Sequence, residues 1–209
     1  MRSFIALAAA LAVLGLTACQ KPGTQAAADD MTLGNAKAPV TVIEYASVAC
    51  PHCARFNNDV FPAFKAKYVD TGKVFYVARE ALTADPAIAA AGFLTARCAG
   101  KDKYFQVVDA IYHAQMEMET GGNPHAMLLQ IARSAGLTDA QFESCIRDPK
   151  AIADLEARWH RYINDDKIEA TPTFVINGTV YDKGELTMPQ LDAAVAKAQT
   201  QSSQGKPAT

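Results

Sequence analysis

Residues 38–56 read APVTVIEYASVACPHCARF, a short apolar run followed directly by two cysteines and the beginning of a helical pattern. Residues 40–45 are mostly β-branched or aromatic, which is typical of a buried strand. Pro51 lies where the first turn of a helix tolerates a missing N–H group. One apolar face of an amphipathic helix then recurs at every fourth residue, at Phe56, Val60, Phe64 and Tyr68. The stretch therefore predicts a strand that leads Cys50 to a helix N-terminus.

The predicted helix contains Pro62, so we expect a kink near the preceding turn. Gly72 ends the helix, and residues 74–78, VFYVA, predict a second strand. Strand, helix and strand form a βαβ unit, with the sequence Cys50-Pro-His-Cys53 at its first turn.

Between residues 83 and 166 the strand signal disappears, and helix signals replace it. Three prolines open helices and two glycines close them: Pro86, Pro124 and Pro149, then Gly100 and Gly136. Thr138 and Gln141 have the spacing of a capping box. This segment is predicted to contain four or five helices and no strand.

Strands resume at residues 173–176, and Asn177-Gly178 followed by residues 179–181 predicts a β-hairpin. A last helix is predicted from the Thr187 cap, with Gln190 completing a second capping box. The predicted fold class is therefore α/β, with a βαβ unit, a helical block, a hairpin and a final helix.

The N-terminus has the pattern of a processing signal, because Arg2 precedes an apolar run that ends in Leu-Thr-Ala-Cys19. The run is short for a transmembrane helix, which needs about 20 apolar residues. Its end resembles a bacterial lipobox, which implies that residues 1–18 are a signal peptide and that Cys19 is lipidated. The alternative is ordinary cleavage that leaves Cys19 as a free thiol.

The composition excludes several classes of protein. The formal charge is −2 and no block of basic residues is present, so nucleic acid is not an expected partner. We expect no cofactor. We also expect no metal site, because the histidines lack metal-ligand spacing and the chain contains a single Cys-X-X-Cys.

Five cysteines are present. Besides Cys19 and the pair Cys50 and Cys53, the chain contains Cys98 and Cys145 in the helical block. In an exported protein we interpret these two as a structural disulfide. Two reduced thiols and a second redox pair are the alternatives.

Four features together resemble the DsbA family of thioredoxin-fold oxidoreductases. They are the strand before the first cysteine, Cys50-Pro-His-Cys53, the helical insertion, and the sequence TPTFVING at residues 171–178. The resemblance implies a thioredoxin-like domain at 32–82 and 167–199, interrupted by a helical insertion at 83–166. A lipidated tether at 19–31 and a disordered tail at 200–209 are expected to flank this domain.

The position of Cys50 before a helix favours its thiolate, because free N–H groups and the helix dipole stabilise an anion there. Cys50 is the expected nucleophile. Cys53 lies one turn later and is expected to form the redox-active disulfide with it. His52 is expected to stabilise the Cys50 thiolate further, which makes the protein a stronger oxidant.

The spacing of Glu44 from Cys50 resembles that of a buried acid in DsbA-like proteins, which implies that Glu44 accepts the proton of Cys53. A Glu pointing into water is the alternative, because strand alternation does not determine which face it occupies. The resemblance also implies that the Thr171-Pro172 bond is cis and that both residues contact an extended substrate.

The resulting hypothesis is a monomeric dithiol oxidase of the bacterial periplasm, anchored to a membrane by lipid and acting on reduced exported proteins. A DsbB-like membrane quinone reductase is the implied reoxidising partner. Isomerase or reductase activity is the main alternative, since Thr before the cis-proline also occurs in isomerase relatives. A metal-binding module and a chaperone are the rivals from other classes.

Overall fold

The computed structural model describes residues 25–204, which form a central five-stranded sheet with helices on both faces. The strands are β1 Met31–Leu33, β2 Val40–Ala46, β3 Val74–Glu80, β4 Thr173–Ile176 and β5 Thr179–Tyr181. The helices are α1 Pro51–Arg55, α2 Phe61–Phe64, α3 Pro86–Cys98, α4 Lys101–Glu119, α5 Pro124–Ser134, α6 Asp139–Ile146, α7 Pro149–Asn164 and α8 Met188–Gln204. The predicted α/β class with an all-helical insertion is confirmed.

The strand order is β1-β3-β2-β4-β5. β2 and β3 are parallel and the other pairs are antiparallel. A parallel pair needs a crossover connection, and α1 and α2 provide it, so the predicted βαβ unit is confirmed. The sequence analysis missed β1, because three residues are too few to show a two-residue period.

The helix between β2 and β3 is interrupted by π-helical turns at Phe56–Val60 and Lys65–Val69. Pro62 is the second residue of α2, which directly follows the first of these turns. Because proline has no N–H to donate and its ring would clash with the carbonyl four residues earlier, the helix widens there. The distortion expected at Pro62 is therefore present as a π-helical turn.

The insertion consists of the five helices α3 to α7, as the helix signals predicted. Each of the three prolines lies in the first turn of its helix, after an Asp or Asn cap. Thr138 and Gln141 form the predicted capping box at α6. Gly100 and Gly136 have φ values of 94° and 90°, a conformation that glycine adopts without the steric penalty of a Cβ.

Asn177 and Gly178 both have positive φ and join β4 to β5 in the predicted hairpin. The final helix continues to Gln204, so the tail predicted at 200–209 begins too early. One reason is that the Ser202 hydroxyl donates to the Pro39 carbonyl at 3.1 Å and holds this turn on the fold. Residues 205–209 lie outside the described part of the chain.

The segment before β1 packs on the domain. The Asp30 side chain is buried and accepts a hydrogen bond from Arg79 at 3.2 Å. The Gln25 carbonyl accepts from Arg79 at 2.8 Å, and the Asp29 carbonyl accepts from Arg97 at 2.9 Å. The tether predicted at 19–31 is therefore wrong at its C-terminal end, because these arginines bind the chain from residue 25 onward.

Two apolar clusters cover the two faces of the sheet. On one face, Val42 and Phe174 pack with Phe56 and with Leu191 of α8. On the opposite face, Ile43 and Tyr45 pack with Tyr162 of α7. The alternation of β2 thus places Glu44 on the same face as Val42, toward α1 and α2.

No helix within residues 25–204 is long and apolar enough to cross a lipid bilayer.

Candidate active site

Cys50 is the N-cap residue of α1, and its backbone is extended, with φ −96° and ψ 121°. Pro51 follows in the first turn, and the Cys50 carbonyl accepts the first helical hydrogen bond from Ala54 at 3.0 Å. The sulfur lies 3.4 Å from the carbonyl oxygen of Thr171. Only 6% of Cys50 is exposed. The sequence prediction of a cysteine at a helix N-terminus is confirmed.

The pKa of Cys50 falls from its usual value of 9.0 to about 5. The largest cause is a hydrogen bond with the Cys53 thiol. Burial opposes the shift, whereas the Thr171 side chain and the backbone N–H groups of Cys53 and His52 favour it. Donors aimed at a sulfur stabilise its anion. Cys50 is therefore a thiolate near neutral pH when both cysteines are reduced.

The pKa of Cys53 is shifted in the opposite direction to that of Cys50. Cys53 is fully buried, and burial raises its pKa well above the usual value. The hydrogen bond that it makes with Cys50 and the negative charges of Cys50 and Glu44 raise the pKa further. Cys53 therefore remains a neutral thiol at neutral pH and donates to the Cys50 thiolate.

Glu44 is 4% exposed, which rejects the alternative of a side chain pointing into water. Burial raises its pKa to about 7. A hydrogen bond from the Tyr76 hydroxyl acts in the opposite direction, and the Cys50 charge adds to the increase. Glu44 can therefore change protonation state near neutral pH, as a proton acceptor for Cys53 must.

The loop before β4 forms one wall beside Cys50, and its Thr171-Pro172 bond is cis. The Thr171 hydroxyl lies 2.6 Å from the hydroxyl of Thr83, just beyond β3. The Thr83 carbonyl accepts a hydrogen bond of 2.9 Å from Ser47, just beyond β2. Ser47 also accepts from the Ala49 N–H at 3.2 Å. These bonds join the loop of Cys50 to the loop of Thr171.

The His52 ring contacts Glu185, in the loop between β5 and α8. The ring Nδ1 lies 2.5 Å from a Glu185 carboxylate oxygen and 2.5 Å from an Arg55 guanidinium nitrogen. Arg55 also donates to Glu185 at 3.1 Å. These contacts with His52 and Arg55 help lower the pKa of Glu185, although its partial burial acts against the shift. The backbone N–H of His52 contacts the Cys50 sulfur, whereas the His52 imidazole faces Glu185.

A family model described as "Thioredoxin" matches residues 26–197. The chain belongs to the thioredoxin family. This match covers both cysteines, the helical insertion and the cis-proline loop.

Relatives with related names support the DsbA resemblance. One from Rickettsia felis, named "Putative protein-disulfide oxidoreductase", is 33% identical over 171 residues. The match covers 81% of this chain, which spans 60% of that relative's length. The crystal structure of α-DsbA1 from Wolbachia pipientis has a TM-score of 0.75 and 27% identity, covering 85% of this chain and 94% of that one. The crystal structure of oxidised BdbD from Bacillus subtilis has a TM-score of 0.72 and 21% identity, covering 82% and 93%. The thioredoxin-like fold is confirmed.

The second cysteine pair of this thioredoxin-family chain is bridged. Cys98 at the end of α3 is bonded to Cys145 of α6, with the Cα atoms 6.2 Å apart. Cys50 and Cys53 are free thiols in the structure. The bridge therefore joins two insertion helices, as a structural disulfide would.

Among residues 25–204, no cluster of three or more His, Cys, Asp or Glu side chains could hold a metal. His125 instead lies 2.6 Å from a Glu143 oxygen, and His113 bonds the Asp109 carbonyl one turn earlier. Cys19, the predicted lipidation site, lies outside the described residues.

Four residues of the site were missed from the sequence: Ser47, Tyr76, Thr83 and Glu185. Ser47 and Thr83 could have been proposed, because residues that follow the carboxyl ends of parallel strands meet at one edge of a sheet. Glu185 has no comparable signal, since 133 residues separate it from His52.

Proposed function

We propose that the protein is a thiol:disulfide oxidoreductase of the bacterial cell envelope that donates its Cys50–Cys53 disulfide to reduced exported proteins. The observation that carries the proposal is the opposite behaviour of the two thiols: the pKa of Cys50 is lowered to about 5, whereas that of Cys53 is raised. The names of the relatives from Rickettsia felis and of α-DsbA1 support the same class of reaction.

The exchange proceeds in two steps that balance in atoms and electrons. A substrate thiolate attacks the Cys50 sulfur, the Cys50–Cys53 bond breaks, and Cys53 leaves and takes up a proton. A second substrate thiolate then attacks the substrate sulfur of the mixed disulfide, and Cys50 leaves as a thiolate. The substrate dithiol is oxidised to a disulfide, and the protein disulfide is reduced to a dithiol.

The low pKa of Cys50 favours donation over acceptance of a disulfide. A stable thiolate is a good leaving group, and it stabilises the reduced form relative to the disulfide. Each pKa unit of thiolate stabilisation corresponds to about 1.4 kcal/mol. We therefore infer an oxidising couple.

Equilibration of the Cys50–Cys53 couple against reduced and oxidised glutathione tests this direction. We expect a potential well above that of thioredoxin, about −270 mV. A potential as reducing as that of thioredoxin would reject the oxidase and favour a reductase. Cys50→Ser should abolish exchange; if that variant still oxidised a reduced substrate, the assigned nucleophile would be wrong.

Isomerase activity is the second candidate, and Thr171 is the feature that favours it. A polar residue beside the cis-proline supplies a hydroxyl next to the mixed disulfide, where it can help release a substrate that has paired incorrectly. Refolding of a scrambled disulfide protein distinguishes the two: an isomerase recovers the native pairing at catalytic concentration, whereas an oxidase does so only for the reduced protein.

The location and partners are proposed from the sequence. The Leu-Thr-Ala-Cys19 pattern supports a lipid anchor in the periplasm. We propose a DsbB-like membrane quinone reductase as the partner that reoxidises the protein. Incorporation of labelled palmitate into the full chain, but not into Cys19→Ser, tests the anchor. Release of the wild-type protein from membranes by salt would contradict it. We propose that the protein acts as a monomer, which light scattering of the purified chain tests.

A further inference from the structure

A cavity of about 310 Å³ lies between the sheet and α4, on the side of Glu44. Glu44 and Tyr76 line it from β2 and β3, and Phe105 lines it from α4. Its lining also includes Asp109 and Lys65, whose side chains are 55% and 40% exposed. Because one cavity is lined both by a buried carboxyl group and by exposed charged groups, it joins Glu44 to solvent.

The cavity is large enough for several water molecules. Most of its wall is aromatic or aliphatic, and polar groups lie at a few positions along it. A single water needs a space of roughly one probe sphere and two to four polar partners. Asn57 donates to Asp109 at 2.8 Å beside the cavity, and Glu44 and Tyr76 supply oxygens within it. Ala46 and Ala78 also line it, and their small side chains leave the space beside Glu44 open.

Tyr76 is held rigidly next to Glu44. It lies on the adjacent parallel strand, opposite Val42, so that its hydroxyl reaches the Glu44 carboxylate. Its ring packs against Phe61, with the centroids 4.9 Å apart, and against Phe105 at 6.2 Å. Burial and the neighbouring Glu44 raise the pKa of Tyr76 well above its usual value, so the phenol remains a donor and keeps its own proton.

We propose that Tyr76 is a positioning residue for proton transfer between Cys53 and Glu44, and that the cavity is the path by which this proton reaches solvent. The proposal deepens the proposed thiol–disulfide exchange and rests on it. By donating to one carboxylate oxygen, Tyr76 fixes the orientation of Glu44 and leaves the other oxygen available. The path emerges on the α4 side, lined by residues separate from those of the Cys50 and Thr171 surface.

The titratable groups around Glu44 come from several elements. Cys50 and Cys53 belong to the start of α1, Tyr76 belongs to β3, and α4 supplies Tyr104 and Tyr112. Lys65, Arg79 and Asp109 also line the cavity. Of these, Tyr76 donates a hydrogen bond directly to Glu44, so its removal has the most direct effect on the carboxyl group.

The step to measure is closure of the disulfide with excess oxidised glutathione. The Cys50 thiolate first forms a mixed disulfide with glutathione. Cys53 then attacks Cys50, the bond from Cys50 to glutathione breaks, glutathione leaves as a thiolate, and the proton of Cys53 moves to Glu44. Acid quenching and mass spectrometry follow the second step as a function of pH.

In the wild type we expect the rate of closure to rise with pH through an inflection where Glu44 ionises. This inflection should lie below pH 7, because the Cys50 charge that helps raise the Glu44 pKa to about 7 in the reduced protein is absent from the mixed disulfide. Tyr76→Phe removes the donor, so the Glu44 pKa rises and the inflection should move up by about one pH unit. At the pH of the wild-type inflection this shift corresponds to a rate that is about five-fold lower. In a Glu44→Gln background, Tyr76→Phe should have no further effect.

Tyr68→Phe is the matched control, because the Tyr68 hydroxyl also donates to a carboxylate, that of Asp192 at 2.7 Å, away from the cavity. It should leave the inflection where it is. Ala78→Val adds volume beside Glu44 and should slow closure several-fold even at pH values well above the inflection, where Glu44 is already ionised. An unchanged rate in Ala78→Val would overturn the path through the cavity.

If Tyr76→Phe left the inflection at its wild-type pH, the role of Tyr76 would be overturned. The same conclusion would follow if Tyr76→Phe slowed closure as much in the Glu44→Gln background as in the wild type. Failure of the proposed function has a different signature. If the wild type neither forms a mixed disulfide nor oxidises a reduced substrate, the oxidoreductase assignment fails. If the wild type does both and only the Tyr76 and Ala78 predictions fail, only this inference is rejected.

Discussion

Cys50 and Cys53 are one helical turn apart, yet their environments differ. Cys50 receives hydrogen bonds at the helix N-terminus, whereas Cys53 is fully buried and lies near the Glu44 carboxyl group. Donors stabilise the first thiolate, and burial destabilises the second. This asymmetry favours Cys50 as the nucleophile of the proposed exchange.

At neutral pH an alkylating reagent should therefore modify one active-site cysteine of the reduced protein. Brief treatment with iodoacetamide at pH 7 should label Cys50 and leave Cys53 unmodified, because the thiolate is the reactive species. Peptide mass spectrometry measures the site. Cys50→Ser should abolish the rapid label, and rapid modification of Cys53 in the wild type would contradict the assignment.

His52 gives a second prediction at the residue scale. Replacing it by Ala tests the expected stabilisation of the Cys50 thiolate by the His52 side chain: the Cys50 pKa should rise by about one unit, equivalent to about 1.4 kcal/mol. The potential should fall by about 30 mV. Thiolate absorbance at 240 nm against pH measures the first change.

His160→Ala is the control for this measurement, since His160 is exposed on α7. An unchanged Cys50 pKa in His52→Ala would show that the imidazole, which faces Glu185, does not influence the sulfur.

At the scale of elements, one carboxylate joins the sheet to the insertion. Glu80, at the end of β3, is 1% exposed and accepts a hydrogen bond from Arg97 of α3 at 2.7 Å. It also accepts from Arg158 of α7 at 2.8 Å and from Tyr104 of α4 at 3.0 Å. The orientation of three insertion helices therefore depends on a single buried side chain near the active-site edge of the sheet.

Glu80→Gln should destabilise the protein by about 3–5 kcal/mol, because it leaves buried Arg158 and partly buried Arg97 without their anionic partner. Urea unfolding measures the loss. Asp154→Asn is the control, since its ion pair with Lys150 lies on the surface and should have no measurable effect. Equal stability of Glu80→Gln and the wild type would show that the network adds little to the free energy of unfolding.

At the scale of the whole molecule, the Cys50 thiolate links redox state to stability. In the reduced folded protein the pKa of Cys50 is about 5, whereas in the unfolded chain it returns to its usual 9.0. Between these values the unfolded state binds more protons, so the free energy of unfolding rises with pH. The oxidised protein has no such thiolate.

The stability of the reduced form relative to the oxidised form should therefore increase from pH 5 to pH 9 and decline as the pH falls through 5. Glu44 acts in the opposite direction, since its raised pKa lowers stability as the pH rises from 4.5 to about 7. Because Glu44 is present in both forms, its contribution largely cancels in the difference. Paired urea titrations of the two forms measure the effect, and a difference independent of pH would contradict it.

Much of the fold could be predicted from local patterns. The strands at β2, β4 and β5, the capped helices of the insertion and the Asn177-Gly178 hairpin all depend on residues within a few positions of one another. The predictions for the flanking segments were wrong where the tether at 19–31 and the tail at 200–209 meet the folded domain. Asp30 and Ser202 are held by contacts with Arg79 and Pro39, which lie far away in the chain.

The sequence by itself determined that Cys50 would begin a helix after a buried strand, because propensity, proline position and apolar period are local properties. Only the tertiary structure decided that Glu44 faces inward beside Tyr76, that Thr83 meets Thr171, and that Glu185 binds the His52 ring. Strand alternation defines two faces without saying which is buried, and a hydrogen bond between residues 133 positions apart leaves no periodic trace. The acid–base behaviour of the Cys50 and Cys53 pair therefore depends on packing between distant parts of the chain.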